Sequence, residues 1–144
     1  MLPTARPIAD CPCFRISPTD TNYFVVLADP VADRIPWVTV IEIFERGGKT
    51  PPNAHVVAWE QFLVLAGSGR ATCGGTITEL ERGDTLLVPP GTEHVVENTG
   101  SGKLYCLTNM FPDENFAALI RAGTPVALDR QDLDVLTGLG PAGP

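Results

Sequence analysis

Short apolar runs alternate with glycine- or proline-marked breaks through most of this chain. Residues 23–27 form an aromatic and β-branched run closed by Asp29 and Pro30, and residues 37–44 form a second, closed by Gly47 and Gly48. Residues 62–65 stop at Gly67, residues 85–88 follow Gly83, and residues 94–97 and 103–109 flank a break containing Gly100 and Gly102. Runs of this length, rich in Val, Ile, Phe and Thr and bounded by turn residues, predict strands. Residues 70–73 and 76–80 flank Gly74-Gly75, which predicts a two-residue hairpin because such turns need positive φ. Turn signals at this close spacing predict an all-β antiparallel sandwich or barrel.

The last third changes period. Residues 115–121 predict a short helix, with Asp113 and Glu114 as acids in its first turn, Arg121 near its end and Gly123 closing it. Residues 129–136 predict another, with Leu133 and Leu136 on one face. The expected organisation is an extended arm over 1–20, marked by Pro3, Pro7 and Pro12, a barrel over 21–111, a helical segment over 112–137 and a flexible tail over 138–144.

Size and composition narrow the function classes. A chain of 144 residues is expected to form one domain with a real core. The net charge of −7, with no basic cluster, argues against a nucleic-acid partner. The apolar runs are too short for a membrane helix, and the first residues lack a secretory pattern. Cys11, Cys13, Cys73 and Cys106 are therefore expected as free thiols of a cytoplasmic protein. The Cys11-x-Cys13 spacing is shorter than that of structural zinc sites.

The chemistry concentrates at the two histidines, His55 and His94. Both lie in stretches rich in Gly and Pro, and Glu60 follows the first. Two imidazoles and a carboxylate can hold a divalent transition metal and leave coordination positions open. On a strand, Asn53 and His55 would share a face, and a turn through residues 56–59 would bring Glu60 to the same side. Pro90-Gly91 suits the centre of a type II turn that delivers His94. Phe62 and Val64 share the parity of Glu60 and are expected to face the interior. For Tyr105 and Cys106, one faces inward and sequence does not say which.

The residues Gly47, His55, Glu60 and Gly67, followed by Gly83, Pro89, Gly91, His94 and Asn98, resemble the two motifs of the cupin family. Asn53 stands where the first motif usually has a further histidine. The resemblance covers roughly residues 35–110. It implies a double-stranded β-helix, the jelly-roll barrel, here with short C-terminal helices, and His55, Glu60 and His94 as metal ligands. Asn53 ligates weakly through its amide oxygen, orients a metal-bound water, or marks a site that has lost its metal; the second is preferred. A two-histidine, one-carboxylate set suits Fe(II) in oxygen chemistry, and cupin ring-cleaving dioxygenases acting on hydroxyanthranilate are similar in this respect. Mn, Ni or Zn would shift the expectation towards an isomerase or lyase. A cupin that binds a small ligand without turning it over is the non-catalytic alternative. The family also implies a homodimer, with contacts at an exposed strand edge or along residues 23–27.

Overall fold

The computed structural model describes residues 2–138. A 3-10 turn at Ile8–Asp10 leads into β1 (Cys13–Arg15) and β2 (Asn22–Ala28). A one-turn helix, α1 (Pro30–Asp33), precedes β3 (Val38–Phe44). Then follow β4 (Trp59–Ala66), β5 (Gly69–Cys73), β6 (Thr76–Leu80), β7 (Thr85–Val88), β8 (His94–Asn98) and β9 (Leu104–Phe111). The chain continues with α2 (Phe116–Arg121), β10 (Thr124–Pro125) and α3 (Arg130–Thr137).

All strand pairs are antiparallel. Seven strands form one sheet in the order β10-β1-β2-β3-β9-β4-β7, and β6-β5-β8 form the other. This is the jelly-roll barrel that the turn spacing and the motifs predict. Gly74 and Gly75 take φ values of +53° and +87° in the β5–β6 hairpin, as a two-residue connection demands. No helix among the described residues is long and apolar enough to cross a membrane.

Period-two alternation sorts the large sheet into two faces. Phe44, Phe62, Val64, Val88, Leu104 and Cys106 point inward and pack with Ala71, Leu80 and Val96 of the second sheet. Tyr23, Val25, Ile41, Ile43 and Tyr105 point outward. Cys106 is thus the inward neighbour and Tyr105 the outward one.

The outer face is not left to water. Ile8, Cys11, Cys13, Val126, Leu128, Val135 and Leu136 cover it. The segment expected as an extended arm therefore contributes β1 to the sheet and buries both of its cysteines. Gly123 permits this: a Cβ there would meet the Arg15 carbonyl oxygen at 1.9 Å, so only glycine lets the chain cross β1. The strand over 23–27 is covered too, with Tyr23 and Val25 buried, and is no free dimer surface.

The helices depart from expectation in detail. Asp113 and Glu114 do not sit in the first turn of α2, because Glu114 and the N-cap Asn115 adopt left-handed φ values of 50° and 65°. Asp113 instead takes the Ala117 N–H at 2.9 Å. In α3 the predicted start holds, with Asp129 and Asp132 forming a reciprocal capping box. Its packed face presents Asp132, Val135 and Leu136 rather than Leu133 with Leu136. Of the tail expected over 138–144, Gly138 caps α3 in a left-handed conformation, and 139–144 lie outside the described residues.

Candidate metal centre

Three chain segments bring the candidate residues together. His94 opens β8 and Glu60 is the second residue of β4. His55 lies in an irregular loop over 51–58. The expectation of a strand carrying both Asn53 and His55 is not met. Asn53 makes only an isolated bridge opposite His94, through Asn53 N–H to His94 O at 3.2 Å and His94 N–H to Asn53 O at 2.9 Å. Consecutive prolines at 51 and 52 remove the amide donors a longer ladder would need. The turn that brings Glu60 back is confined to 56–58, and Trp59 already belongs to the returning strand.

Two anchors fix the His55 loop. The first is the turn over 89–92, where Thr92 N–H reaches the Pro89 carbonyl at 3.4 Å and Gly91 has φ +78°, as a type II turn requires. Its Gly91 N–H donates to the His55 carbonyl at 2.7 Å. The second is Glu114. Its carboxylate accepts from Val56 N–H and Val57 N–H, both at 3.1 Å, and from Ala58 N–H. These backbone bonds outweigh partial burial and hold the carboxyl below its ordinary value. Three consecutive amides of an irregular loop thus find one charged acceptor. Nothing in the sequence pairs Glu114 with the loop, because the partner lies 58 positions away.

The donor atoms converge. The imidazole nitrogens and a Glu60 oxygen lie within 4.8 Å of one another. His55 Nε2 is 2.5 Å and His94 Nε2 3.0 Å from the same Glu60 Oε2. The His94 ring is almost wholly buried and Glu60 nearly so, while His55 is partly open. His94 Nδ1 lies 2.9 Å from the Thr92 carbonyl, which accepts only from a protonated nitrogen. The Nδ1–H tautomer is thereby favoured and Nε2 carries the lone pair. A lone pair facing a carboxylate oxygen at 3.0 Å is repulsive unless a positive charge lies between them. A proton or a metal cation supplies it, and the donor chemistry of this set fits a divalent transition metal.

The titration directions agree with that electrostatic demand. Burial favours the neutral form of Glu60, yet the His55 and His94 contacts outweigh it and lower its carboxyl. Burial depresses the His94 imidazole, but Glu60 and Thr92 outweigh it and the net direction is upward.

The triad lies on the wall of a cavity of about 680 Å³. Asn53 lines it, directly opposite His94 in register and so on the same side. Phe24, Met110, Phe116 and Leu119 give an apolar wall, while Asn22, Glu42, Lys49 and Thr50 give a polar one. Phe24 and Phe116 meet edge to face at 5.6 Å. Phe62 faces inward as expected, 6.5 Å from the His94 ring, and packs with Val64 in the core. Asn98 serves the fold: its Nδ2 donates to the carbonyls of Phe44, Glu45 and Gly102, and its Oδ1 takes Gly100 N–H.

Sequence reading gave no part in this cavity to two of its carboxylates, Glu42 and Glu114. Glu42 left a signal: it is the lone charge in the apolar run 38–44, with the inward parity of Val40 and Phe44.

Comparison with known proteins gives one family. A cupin-domain family model matches residues 40–109. An uncharacterised protein of Methanocaldococcus jannaschii is 35% identical over 66 residues, which is 46% of this chain and 53% of that protein. The chain therefore spans about half the length of that relative. Among solved structures, a predicted oxalate decarboxylase from Thermotoga maritima has a TM-score of 0.68 at 19% identity, covering 76% of this chain and 99% of that one. A sugar phosphate isomerase from a cupin superfamily, from Silicibacter pomeroyi, has a TM-score of 0.57 at 16% identity, covering 63% and 59%. At these identities the structural likeness is one of fold.

Proposed function

The chain belongs to the cupin superfamily, and from there we propose that it is a metal-dependent enzyme acting on a small oxygen-bearing molecule, with Fe(II) dioxygenase-type oxidation as the leading chemistry. The observation that carries this reading is the convergence of two imidazole nitrogens on one carboxylate oxygen at the wall of a large cavity. His55, Glu60 and His94 are the ligands in this reading, and Asn53 orients a group at an open position. A divalent transition metal held there would supply Lewis-acid polarisation of a substrate oxygen or, as Fe(II), electrons for dioxygen. Thr92 keeps the His94 ring in its ligating tautomer, and the turn over 89–92 together with Glu114 keeps His55 in place. The Phe24, Met110, Phe116 and Leu119 wall offers an apolar surface to the body of a bound molecule.

A second reading, a metal-dependent isomerase or lyase using Mn, Ni or Zn, draws on the two solved structures whose names denote such activities. A phosphorylated substrate is disfavoured: Lys49 is outnumbered by Asp20, Glu60 and Glu114 among the charged residues lining the cavity. Homodimerisation and a cytoplasmic setting belong to the same proposal. Exposed Trp37, Phe111 and Trp59 lie side by side across the ends of β3, β9 and β4, Leu87 is exposed on the edge strand β7, and the four free thiols suit a reducing compartment.

The test uses protein purified without a histidine tag. Elemental analysis is expected to give one metal per chain, lost in His94→Ala, with folding intact by circular dichroism. Anaerobic Fe(II) loading followed by oxygen-uptake assays with catechols and diketones is expected to give turnover. Oxygen-independent conversion of hydroxy-ketones or keto acids with Mn, Ni or Zn would select the second reading. Equal trace metal in wild type and variant would overturn both.

A further inference from the structure

The cavity holds another buried carboxyl that the donor set does not use. Glu42 is 3% exposed and lines the cavity. Its row across the sheet is Phe24, Glu42, Cys106 and Val64, whereas the Glu60 row is Val38, Met110, Glu60 and Val88. The two rows are four residues apart along β4, roughly 13 Å of strand. Thr108 occupies the inward position between them, and its buried hydroxyl has no partner among the described residues. The cavity is therefore polar at two separated places, with the apolar wall of Phe24, Met110, Phe116 and Leu119 nearby.

Glu42 is only half satisfied. Asn22 Nδ2 donates to its Oε2 at 2.9 Å, and this is its one hydrogen bond among the described residues. A buried carboxyl with a single amide partner is a costly core residue, and glutamine or leucine would fill the space without that cost. Burial, reinforced by the charge of Glu60, raises the carboxyl to about 8 despite the Asn22 bond. Burial by itself favours the protonated carboxyl, which has an O–H to donate.

We propose that Glu42, steadied by Asn22, is a ligand-binding subsite that donates a hydrogen bond to an acceptor oxygen of a molecule whose other end meets His55, Glu60 and His94. This assignment rests on the metal-dependent reading of the triad. It specifies a ligand class: a neutral molecule with adjacent oxygens at one end, a carbonyl-type acceptor at the other and an apolar body between.

The probes are catechol and 3,4-dihydroxybenzaldehyde, which share a chelating end and differ by one carbonyl. Their affinities are measured by calorimetry on the Ni(II)-loaded full chain. The wild type is expected to prefer the aldehyde by about tenfold more than Glu42→Leu does, the worth of one hydrogen bond. Glu42→Gln keeps a neutral donor and is expected to stay within about threefold of wild type. Infrared difference spectra give a second readout: the carboxylic-acid band absent in Glu42→Gln should shift when the aldehyde binds wild type. Equal preference in wild type and Glu42→Leu, or a band that does not move, overturns the subsite while leaving the metal reading intact. Failure of wild type to take up stoichiometric Ni(II) overturns the metal reading and the subsite with it.

Discussion

On the outer face of the seven-stranded sheet, Asp132 accepts from the Tyr23 hydroxyl at 2.7 Å, the Tyr105 hydroxyl at 2.6 Å and Lys103 at 3.1 Å. On the inner face, Glu60 meets His55 and His94. Both carboxyls are buried, and both draw partners from distant parts of the chain. They differ in what completes them. The Asp132 cluster is closed: its donors are protein groups, the capping box uses its remaining capacity, and helix and arm cover it. The Glu60 cluster opens on a cavity, and its lone pairs face one another across a gap that needs a cation. Buried charge alone therefore does not mark a site; an incomplete set facing space does.

The largest effect expected is at the closed cluster. Asp132→Ala strips two phenols and an ammonium of their acceptor and breaks the cap of α3. Denaturant unfolding should show a loss of about 3–5 kcal/mol, with metal stoichiometry unchanged in the folded protein. Loss of metal as well would mean that the two faces are not independent.

A comparable effect, spread over a pH window, separates the two cavity carboxyls. The folded protein binds a proton at Glu42 up to about pH 8, whereas the unfolded chain releases it near the ordinary 4.5. Stability in chelator should thus fall as pH rises from 4.5 to 8, by on the order of 5 kcal/mol. Glu42→Gln should remove most of that fall and leave the part that the raised His94 imidazole contributes above about pH 6.5. Glu60, displaced in the opposite direction, contributes no loss there. An unchanged slope in Glu42→Gln would assign the fall to other groups.

The smallest effect is at the loop anchor. Glu114→Gln keeps one acceptor oxygen but loses the charge shared by three amides. The expected outcome is about 1 kcal/mol of stability, roughly tenfold weaker metal binding, and faster hydrogen exchange at residues 56–58. Because the Glu114 carboxyl is lowered on folding, its contribution should be present above about pH 4.5 in wild type and fade as pH falls through the lower folded value. Unchanged exchange at those amides would remove Glu114 from its positioning role.

Much of this was legible from local pattern. The strand runs, the Gly74-Gly75 hairpin and the inward parity of Phe62 and Val64 follow from period-two alternation and turn chemistry. The motif resemblance pointed to His55, Glu60 and His94 together, and their donor atoms do converge. What escaped was non-local. Asn53 pairs with His94 instead of extending a strand, since Pro51 and Pro52 forbid the ladder. The arm folds back so that Ile8 and Cys11 pack on the apolar outer face of the sheet, while β1 satisfies the edge of β2. Glu114 reaches the His55 loop through a left-handed pair of residues that no periodicity announces.

The Glu114 anchor also has a consequence for biosynthesis. A ribosome delivers His55, Glu60 and His94 before it delivers the residue that stills the first of them. A nascent chain exposing both motifs lacks that restraint until the segment leading into α2 has emerged. Retention of an ion held by that triad would then be a late event of maturation, and a metal-loaded barrel truncated just after β9 should release it readily.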